Sequence, residues 1–213
     1  MPSGTPRRPY DSGRRQEAAH RNRAAILAAG RELLFRDGYQ ATTVRAVAER
    51  AGVSPETVYK AFGGKPGLVK ALWDITLAGD DEPLTMAERP QLQAVLATRD
   101  GHAKLRLYAG FVRGVHERLA ALSALLAQAG PDVGQVLALS EQERMTGVTA
   151  FVAHLTGTGV LPADIDAARL ADSWWALTGP HLYTQLTSVR GWAADTYEDW
   201  LTELLTSALP SPP

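Results

Sequence analysis

Residues 42–65, TTVRAVAERAGVSPETVYKAFGGK, predict two short helices joined by a tight turn. In the first helix the apolar side chains of Val44 and Val47 recur at helical spacing, and either residue of the Thr-Thr pair before them can be its N-cap. Gly52 follows this helix, and glycine adopts the left-handed conformation that ends a helix at little cost. The pattern therefore predicts a short helix that stops at Gly52.

The second helix of this segment is predicted to begin at Pro55, because Ser54 is an N-cap residue and proline is favoured at the first helical position. Val58 and Phe62 lie four residues apart, so they share one face of the helix and are expected to point inward. The other side chains are left wholly or partly to solvent, namely Pro55, Glu56, Thr57, Tyr59 and Lys60. A helix-turn-helix that presents an exposed recognition helix to DNA has this arrangement.

The stretch from Arg23 to Trp73, about a quarter of the chain, resembles the N-terminal DNA-binding domain of the TetR (tetracycline repressor) family of bacterial regulators. The shared features occur in fixed order: Gly38-Tyr39, Thr42-Thr43, Ala51-Gly52-Val53-Ser54, the spacing of Tyr59 and Phe62, and Lys65. The chain departs from the family pattern at two places. Ala61 stands where the family usually has an aromatic residue or histidine, and Gly64-Lys65-Pro66-Gly67 replaces a Ser-Lys-acidic start to the next helix.

Side-chain chemistry and the matching family positions predict two kinds of DNA contact. Hydroxyl and ammonium groups suited to phosphate oxygens belong to Thr43, Thr57, Tyr59 and Lys65. Groups suited to base edges belong to Arg45 and Lys60 for guanine, Glu56 for cytosine and Pro55 for the thymine methyl. Ser54, which begins the recognition helix, is the remaining predicted DNA-binding residue. Each of these residues is otherwise an ordinary solvated surface position.

The charge of the chain is divided unequally along its 213 residues. Residues 1–74 carry 13 Lys and Arg against 7 Asp and Glu, a net of +6, whereas the remaining 9 basic and 16 acidic residues give −7. A basic module suits the phosphate backbone of DNA, and an acidic one is repelled by it. The charge distribution therefore favours DNA binding by the N-terminal part alone.

Several function classes are disfavoured by what the sequence lacks. There is no cysteine, the five histidines have no metal-ligand spacing, and no nucleophile elbow, phosphate loop or dinucleotide-binding turn is present. No apolar run approaches the roughly 20 residues that span a bilayer, and no signal peptide is recognisable. We therefore expect a soluble, cytoplasmic bacterial protein that is not an enzyme and has no metal, cofactor or membrane partner.

The sequence divides into three predicted regions. Residues 1–19 are predicted to be a disordered arm, whose Arg7, Arg8, Arg14 and Arg15 either follow the DNA or stay solvated without a fixed contact. Residues 20–66 form the helix-turn-helix domain, beginning with an amphipathic helix that Gly38 ends. Residues 67–213 form a ligand-binding and dimerisation domain, and its first helix connects the two domains.

The third region has helical periodicity throughout, so the predicted fold is all-α with about nine helices and a C-terminal helical bundle. A loop with two prolines covers residues 79–90, and helices are expected over residues 91–98, from 101 to about 129, and over 133–156 with a possible break near Ser140. Asp164 or Asp166 caps the next helix, which Gly179-Pro180 kinks or splits. Asp195 is the expected cap of the terminal helix.

Two functional surfaces are predicted in this bundle. A small-molecule pocket, with a few polar groups among large apolar ones, is assigned to Tyr108, Phe111, Phe151, His154, Trp174, Thr178, His181 and Gln185. The alternative is that these aromatic residues belong to the core or to a dimer interface. The wide apolar stripe of the terminal helix needs a large surface to cover it, either the core of its own chain or another subunit. The last two helices of the TetR family pair with those of a second chain, and this resemblance assigns a dimer interface to Leu170, Tyr197, Trp200, Leu201, Leu204 and Leu205.

The sequence thus predicts a homodimeric transcriptional regulator that resembles the TetR family, binds a palindromic double-stranded DNA operator and is released by an unidentified small molecule. An activator and a ligand-insensitive regulator remain open alternatives. So does a helical protein that binds small molecules or other partners and carries a vestigial DNA-binding half.

Overall fold

The computed structural model describes the backbone of residues 12–127 and 129–210, and these residues form helices and connecting turns without a β-strand. The all-α fold class predicted from the sequence is confirmed. The chain divides into two compact units between Leu72 and Trp73. Each unit has its own buried side chains.

Four helices form or begin in the N-terminal unit: α1 (Ser12–Ala41), α2 (Val44–Ala51), α3 (Pro55–Phe62) and α4 (Lys65–Ala78). Gly38 interrupts α1 with φ 80°, so the last turn of α1 is separate from the long helix before it, as its position predicts. Side chains from all four helices are buried in this unit, including Ile26, Leu34, Val47, Val58 and Val69.

The prediction of disorder over residues 1–19 is wrong for residues 12–19, which form the first two turns of α1. Their sequence includes Gln, Glu and two Ala, which favour helix, and Glu17 forms an exposed ion pair with Arg21 one turn later at 3.9 Å. The helix therefore extends beyond its apolar stripe. The remainder of the predicted arm, residues 1–11, lies outside the described residues.

The C-terminal unit contains six further α-helices among the described residues. After a 3₁₀ turn at Met86–Glu88 these are α5 (Pro90–Ala97), α6 (Gly101–Leu126), α7 (Pro131–Gly157), α8 (Ala167–Leu177), α9 (Pro180–Thr184) and α10 (Ala194–Thr206). A π-helical turn, Gln185–Val189, continues α9. None of the helices in the described ranges is long and apolar enough to cross a bilayer.

The helix boundaries agree with the sequence at two places and differ at two. Asp166 caps α8 by accepting a hydrogen bond from the Arg169 amide at 3.1 Å, and the helix splits before Pro180 as expected. However, α7 runs through Ser140 without a break, and the Ser140 hydroxyl donates to the Val136 carbonyl oxygen one turn earlier at 3.1 Å. Ala193, and not Asp195, is the N-cap of α10, and the aspartate lies in the first turn.

The core of the C-terminal unit is built mainly on α6, which packs against α10, and on α7, which packs against α8. Its fully buried side chains include Leu105, Leu155, Trp174, Tyr197, Leu201 and Leu205. Three of these come from α10, so the terminal helix is an integral part of this core.

We expect Gly67→Ala to destabilise the N-terminal unit by about 1–3 kcal/mol, the usual cost of forced packing. A Cβ at this position in the first turn of α4 would overlap the carbonyl oxygen of Phe62, which is backbone and cannot rotate away. Chemical denaturation followed by circular dichroism, with hydrogen exchange of the α3 and α4 amides, measures the change.

The matched control is Gly147→Ala in α7, where an added Cβ meets nothing within 4 Å. It should be neutral or stabilising by about 0.5–1 kcal/mol, because alanine favours the helix interior. Wild-type stability of the Gly67→Ala unit would contradict the close approach of the two helices.

Candidate functional site

Side-chain caps and a glycine fix the helix-turn-helix at residues 43–57. Thr43, and not Thr42, caps α2 by accepting a hydrogen bond from the Ala46 amide at 3.1 Å. Gly52 ends α2 with φ 68°, and Ser54 caps α3 by accepting from the Thr57 amide at 3.3 Å. The chain therefore leaves α2 and enters α3 through groups that satisfy the free helix ends.

The helix α3 presents most of its surface to solvent. Val58 is the one buried residue of α3, whereas Glu56, Lys60 and Ala61 are exposed. The Tyr59 side chain is 57% exposed, which is unusual for a large aromatic residue in a folded domain. A hydroxyl on an aromatic ring, an ammonium and a carboxylate are thus displayed together on one short helix.

Electrostatic partners differ between the two predicted base-reading helices. A hydrogen bond with the Ser54 side chain and one with the backbone lower the pKa of Glu56, so its carboxylate is charged at neutral pH. Arg45 on α2 pairs with Glu49 at 3.0 Å, with both side chains mostly exposed. An exposed pair of this kind is weak, so Arg45 can exchange its carboxylate for a base or a phosphate.

The turn between α3 and α4 places Gly64 against Tyr59 and Lys65 against Tyr39. Gly63 and Gly64 have φ values of 71° and 118°, and Gly64 is buried against the Tyr59 ring, where a Cβ would lie 3.4 Å from Cε1. The Lys65 ammonium lies 3.8 Å from the ring centre of Tyr39. The departure from the family pattern at residues 64–67 is therefore structural, because this turn needs glycine conformations.

Aromatic side chains from three helices meet in the C-terminal unit. The ring centres of Tyr108 and Phe151 lie 4.1 Å apart, and Trp174 lies 6.2 Å from Phe151 and Phe111 6.1 Å from Tyr108. Burial raises the pKa of the Tyr108 hydroxyl to about 12, so it stays protonated. These four residues are called the aromatic cluster.

A buried histidine lies in the same unit. Nε2 of His116 lies 3.0 Å from the carbonyl oxygen of Thr178, and burial lowers the pKa of His116 to about 4. The imidazole is therefore neutral at pH 7, and Nε2 is the protonated nitrogen that donates to this carbonyl. Nearby, Arg144 donates to the Trp175 carbonyl at 2.6 Å and pairs with Glu141.

Comparison with known proteins identifies the N-terminal unit. Residues 26–72 match the sequence model of the bacterial regulatory proteins of the tetR family. This match assigns residues 26–72 to the DNA-binding domain of that family. The N-terminal unit is accordingly a helix-turn-helix domain of the tetR type.

Two curated relatives and a solved structure extend the likeness. The chain is 49% identical to YvkB, an HTH-type regulator of Bacillus subtilis (strain 168), over 47 residues, which are 22% of this chain and a quarter (25%) of that protein. It is 29% identical to the HTH-type regulator AlkX of Mycobacterium tuberculosis over 157 residues, 70% of this chain and 69% of that protein. A TetR-family regulator from Syntrophomonas wolfei shares the fold with a TM-score of 0.66 at 16% identity, covering 91% of this chain and 97% of that one.

The predicted DNA-binding residues all lie between Thr43 and Lys65, within the segment that matches the tetR-family model. Thr43, Arg45, Ser54, Glu56, Tyr59 and Lys60 are exposed, and Pro55, Thr57 and Lys65 are half-buried. Thr43 and Ser54 use their hydroxyls as helix caps, so a role in DNA binding is in addition to that task. Their contacts with DNA stay predictions.

The predicted pocket residues separate into two groups. Six of them, the aromatic cluster with His154 and Thr178, are buried or half-buried, whereas His181 and Gln185 are exposed. Their placement on one face with Trp174 assumed a continuous helix. Because α8 ends before Gly179 and α9 begins a new helix at Pro180, that assumption does not hold, and the place of these two residues in a pocket stays a prediction.

Three of the six residues predicted for the dimer interface are core residues instead. Tyr197, Leu201 and Leu205 have no exposed surface within the single chain, because they fill the core against α6. They have no surface left for a second chain. Leu170, Trp200 and Leu204 are only partly buried and remain the candidates from this set.

Sequence reasoning missed the buried polar residues of the C-terminal unit, Lys104 and His116, and the half-buried Arg144. A usable signal was present in α6. Lys104, Tyr108, Val112 and His116 recur at intervals of four, so two ionisable residues lie on the same face as the apolar stripe.

We expect His116 to make the C-terminal unit less stable in mild acid. Its folded pKa of about 4 lies below the ordinary value of about 6.5, so a proton binds the unfolded chain first, and stability is lost as the pH falls between these values. One such group lowers the unfolding free energy by about 2 kcal/mol between pH 7.5 and 5. Urea unfolding at the two pH values measures it.

The fall in unfolding free energy that His116 causes between these pH values should disappear in His116→Gln. It should remain in His102→Gln, which changes an exposed position of the same helix. The same pH dependence in His116→Gln and the wild type would show that His116 does not titrate as described.

We expect Tyr59→Phe and Lys65→Met to weaken binding to all DNA sequences alike, because phosphate contacts carry no sequence information. Phenylalanine keeps the ring against Gly64 and removes only the hydroxyl. For Lys65→Met, the slope of log affinity against log salt should become shallower by about 0.9. Fluorescence anisotropy on operator and scrambled duplexes measures both effects.

Lys60→Ala should instead relax the preference at one base position, at a cost of about 1–3 kcal/mol on the operator. Arg31→Ala removes the same charge from α1, where the guanidinium stacks on Phe35, and serves as the control. Equal losses on operator and scrambled DNA for Lys60→Ala would exclude base reading by this residue.

Proposed function

We propose that this regulator is a homodimeric repressor that binds a palindromic operator and is released by a small molecule. The observation that carries the DNA-binding part is the exposed face of α3, where Tyr59, Lys60 and Glu56 are displayed while one side chain, Val58, anchors the helix. The Tyr59 ring lies against Gly64, and yet 57% of the residue stays exposed. Insertion of α3 into the major groove accounts for it.

The size of α3 supports a dimer. Its 8 residues span a length that reaches only a few base pairs, which is too little sequence for a specific site. A two-fold dimer doubles the site, and its symmetry requires a palindromic operator. The partly exposed side chains of Leu170, Trp200 and Leu204 are the proposed contacts between the two chains.

The charge distribution supports the orientation on DNA. Residues 1–74 carry a net charge of +6, and the rest of the chain carries −7. The N-terminal unit is therefore drawn to the phosphates, while the C-terminal unit is repelled and remains available for other ligands.

Release by a ligand requires a difference in affinity between two conformations. The aromatic cluster with the ionisable groups beside it has the composition of a small-molecule site in the C-terminal unit. In one conformation the spacing of the two α3 helices matches the two halves of the operator, and in the other it does not. A ligand that binds the second conformation more tightly lowers the affinity for DNA, and DNA lowers the affinity for the ligand by the same factor.

The deciding experiment measures binding of the full chain to the DNA upstream of its own gene. We expect two chains per site, tighter binding than to a scrambled duplex of equal length, and an affinity that falls steeply with salt. A reporter gene behind the same DNA should be less active when the protein is present.

Two outcomes would redirect the proposal. Specific binding with increased reporter activity would make the protein an activator. Equal binding to the scrambled duplex would favour a helical small-molecule-binding protein whose DNA-binding half is vestigial.

A further inference from the structure

Lys104 is a buried cation without a carboxylate partner. The residue is 2% exposed, and its ammonium contacts Nε2 of His154 at 3.0 Å and the carbonyl oxygen of Leu96 at 3.3 Å. Among the described residues, no Asp or Glu pairs with it. Buried charges in proteins are nearly always paired, so this ammonium leaves a positive charge to be neutralised.

Other half-buried or buried cations of the same unit are paired. Arg89 pairs with Asp80 at 2.8 Å and Arg113 with Glu198 at 2.6 Å, and Arg144 likewise has its own carboxylate. In each of these three pairs, a carboxylate lies beside the guanidinium and neutralises its charge. Lys104 differs from them in having only neutral oxygen and nitrogen atoms as partners.

The imidazole beside Lys104 supplies no negative charge. Burial lowers the pKa of Lys104, and burial together with the charge of Lys104 lowers the pKa of His154. The imidazole is therefore neutral at pH 7, and its Nε2 accepts a hydrogen bond from the ammonium.

One of the two contacts has a structural role. Leu96 lies in the last turn of α5, where carbonyl groups lack a partner within the helix, and a cation at a helix C-terminus is stabilising. An ammonium has three N–H groups, and the two contacts use two of them. The third remains available for an oxygen of a bound molecule.

The aromatic cluster lies directly beside this group. Tyr108 is one turn after Lys104 on α6, Phe151 is one turn before His154 on α7, and their rings lie 4.1 Å apart. A molecule that reaches the ammonium therefore meets large apolar surfaces in the next turn of both helices.

We propose that Lys104, held in place by His154, binds the carboxylate of the effector, with the apolar part of the effector packed against Tyr108 and Phe151. The inference rests on the proposed function, in which the C-terminal unit binds a small molecule, and it names the chemical class of that molecule as an organic carboxylate. The ammonium neutralises the carboxylate, and a charge-assisted hydrogen bond of this type is stronger than a neutral one.

Matched pairs of probes test this assignment with the full chain in the absence of DNA. Decanoate and 3-phenylpropionate represent aliphatic and aromatic carboxylates, and decanol and 3-phenylpropanol are the same bodies without the charge. We expect at least one carboxylate to bind, as measured by calorimetry, about tenfold or more tightly than its alcohol. The stronger of the two carboxylates distinguishes an aliphatic from an aromatic effector.

Two substitutions locate the binding to Lys104. Lys104→Met keeps the length of the side chain without its charge, and Lys104→Gln retains a donor for the Leu96 carbonyl if the first variant fails to fold. Both should weaken carboxylate binding by about tenfold or more and leave alcohol binding unchanged. Arg106→Met, an exposed position of the same helix paired with Asp199 at 4.0 Å, should bind like the wild type.

Three results would overturn the proposal: no binding of either carboxylate, equal binding of carboxylate and alcohol, or wild-type carboxylate binding by a folded Lys104 variant. These results are independent of DNA. Carboxylate binding without release from the operator would instead contradict the proposed repressor mechanism and leave the carboxylate site in place.

Discussion

The protein must keep a short helix folded while leaving most of its surface free. The helix α3 has 8 residues, too few to be stable alone, and Val58 is its one fully buried side chain. Its stability therefore comes from its two ends, where Ser54 caps the start and Gly63 ends it in the left-handed conformation. The turn that follows is so tight that the backbone of Phe62 occupies the place of a side chain at Gly67. The exposed recognition face depends on these backbone constraints, because little packing holds it.

The C-terminal unit solves the opposite problem, since it buries polar groups inside a helical core. Arg89 and Arg144 are tolerated because each has a carboxylate partner, and His116 is tolerated because it stays neutral. Lys104 has neither solution among the described residues. The positive charge of the Lys104 ammonium therefore lies next to the aromatic cluster without a carboxylate to neutralise it.

Much of the helix-turn-helix site follows from local chemistry that a sequence displays. Caps, left-handed glycines and the alternation of buried and exposed positions depend on neighbours within a few residues, so Ser54, Gly52 and Val58 were assigned correctly. The same locality explains the failures in the other unit. Counting through Gly179-Pro180 treated two helices as one when it placed His181 and Gln185 with Trp174. The apolar stripe on α10 left open whether its own chain or a second chain covers it, and α6 of the same chain does.

The sequence by itself determined the all-α class, the position of nearly every helix and the exposed face of α3, because hydrophobic period and helix-end chemistry are local properties. It also determined the separation of positive and negative charge between the two parts of the chain. Only the tertiary structure decided that Tyr197, Leu201 and Leu205 are core residues and that Lys104 meets His154 across 50 positions of sequence. Such contacts depend on how helices pack against each other, and the period of one helix cannot specify which partner covers its apolar face.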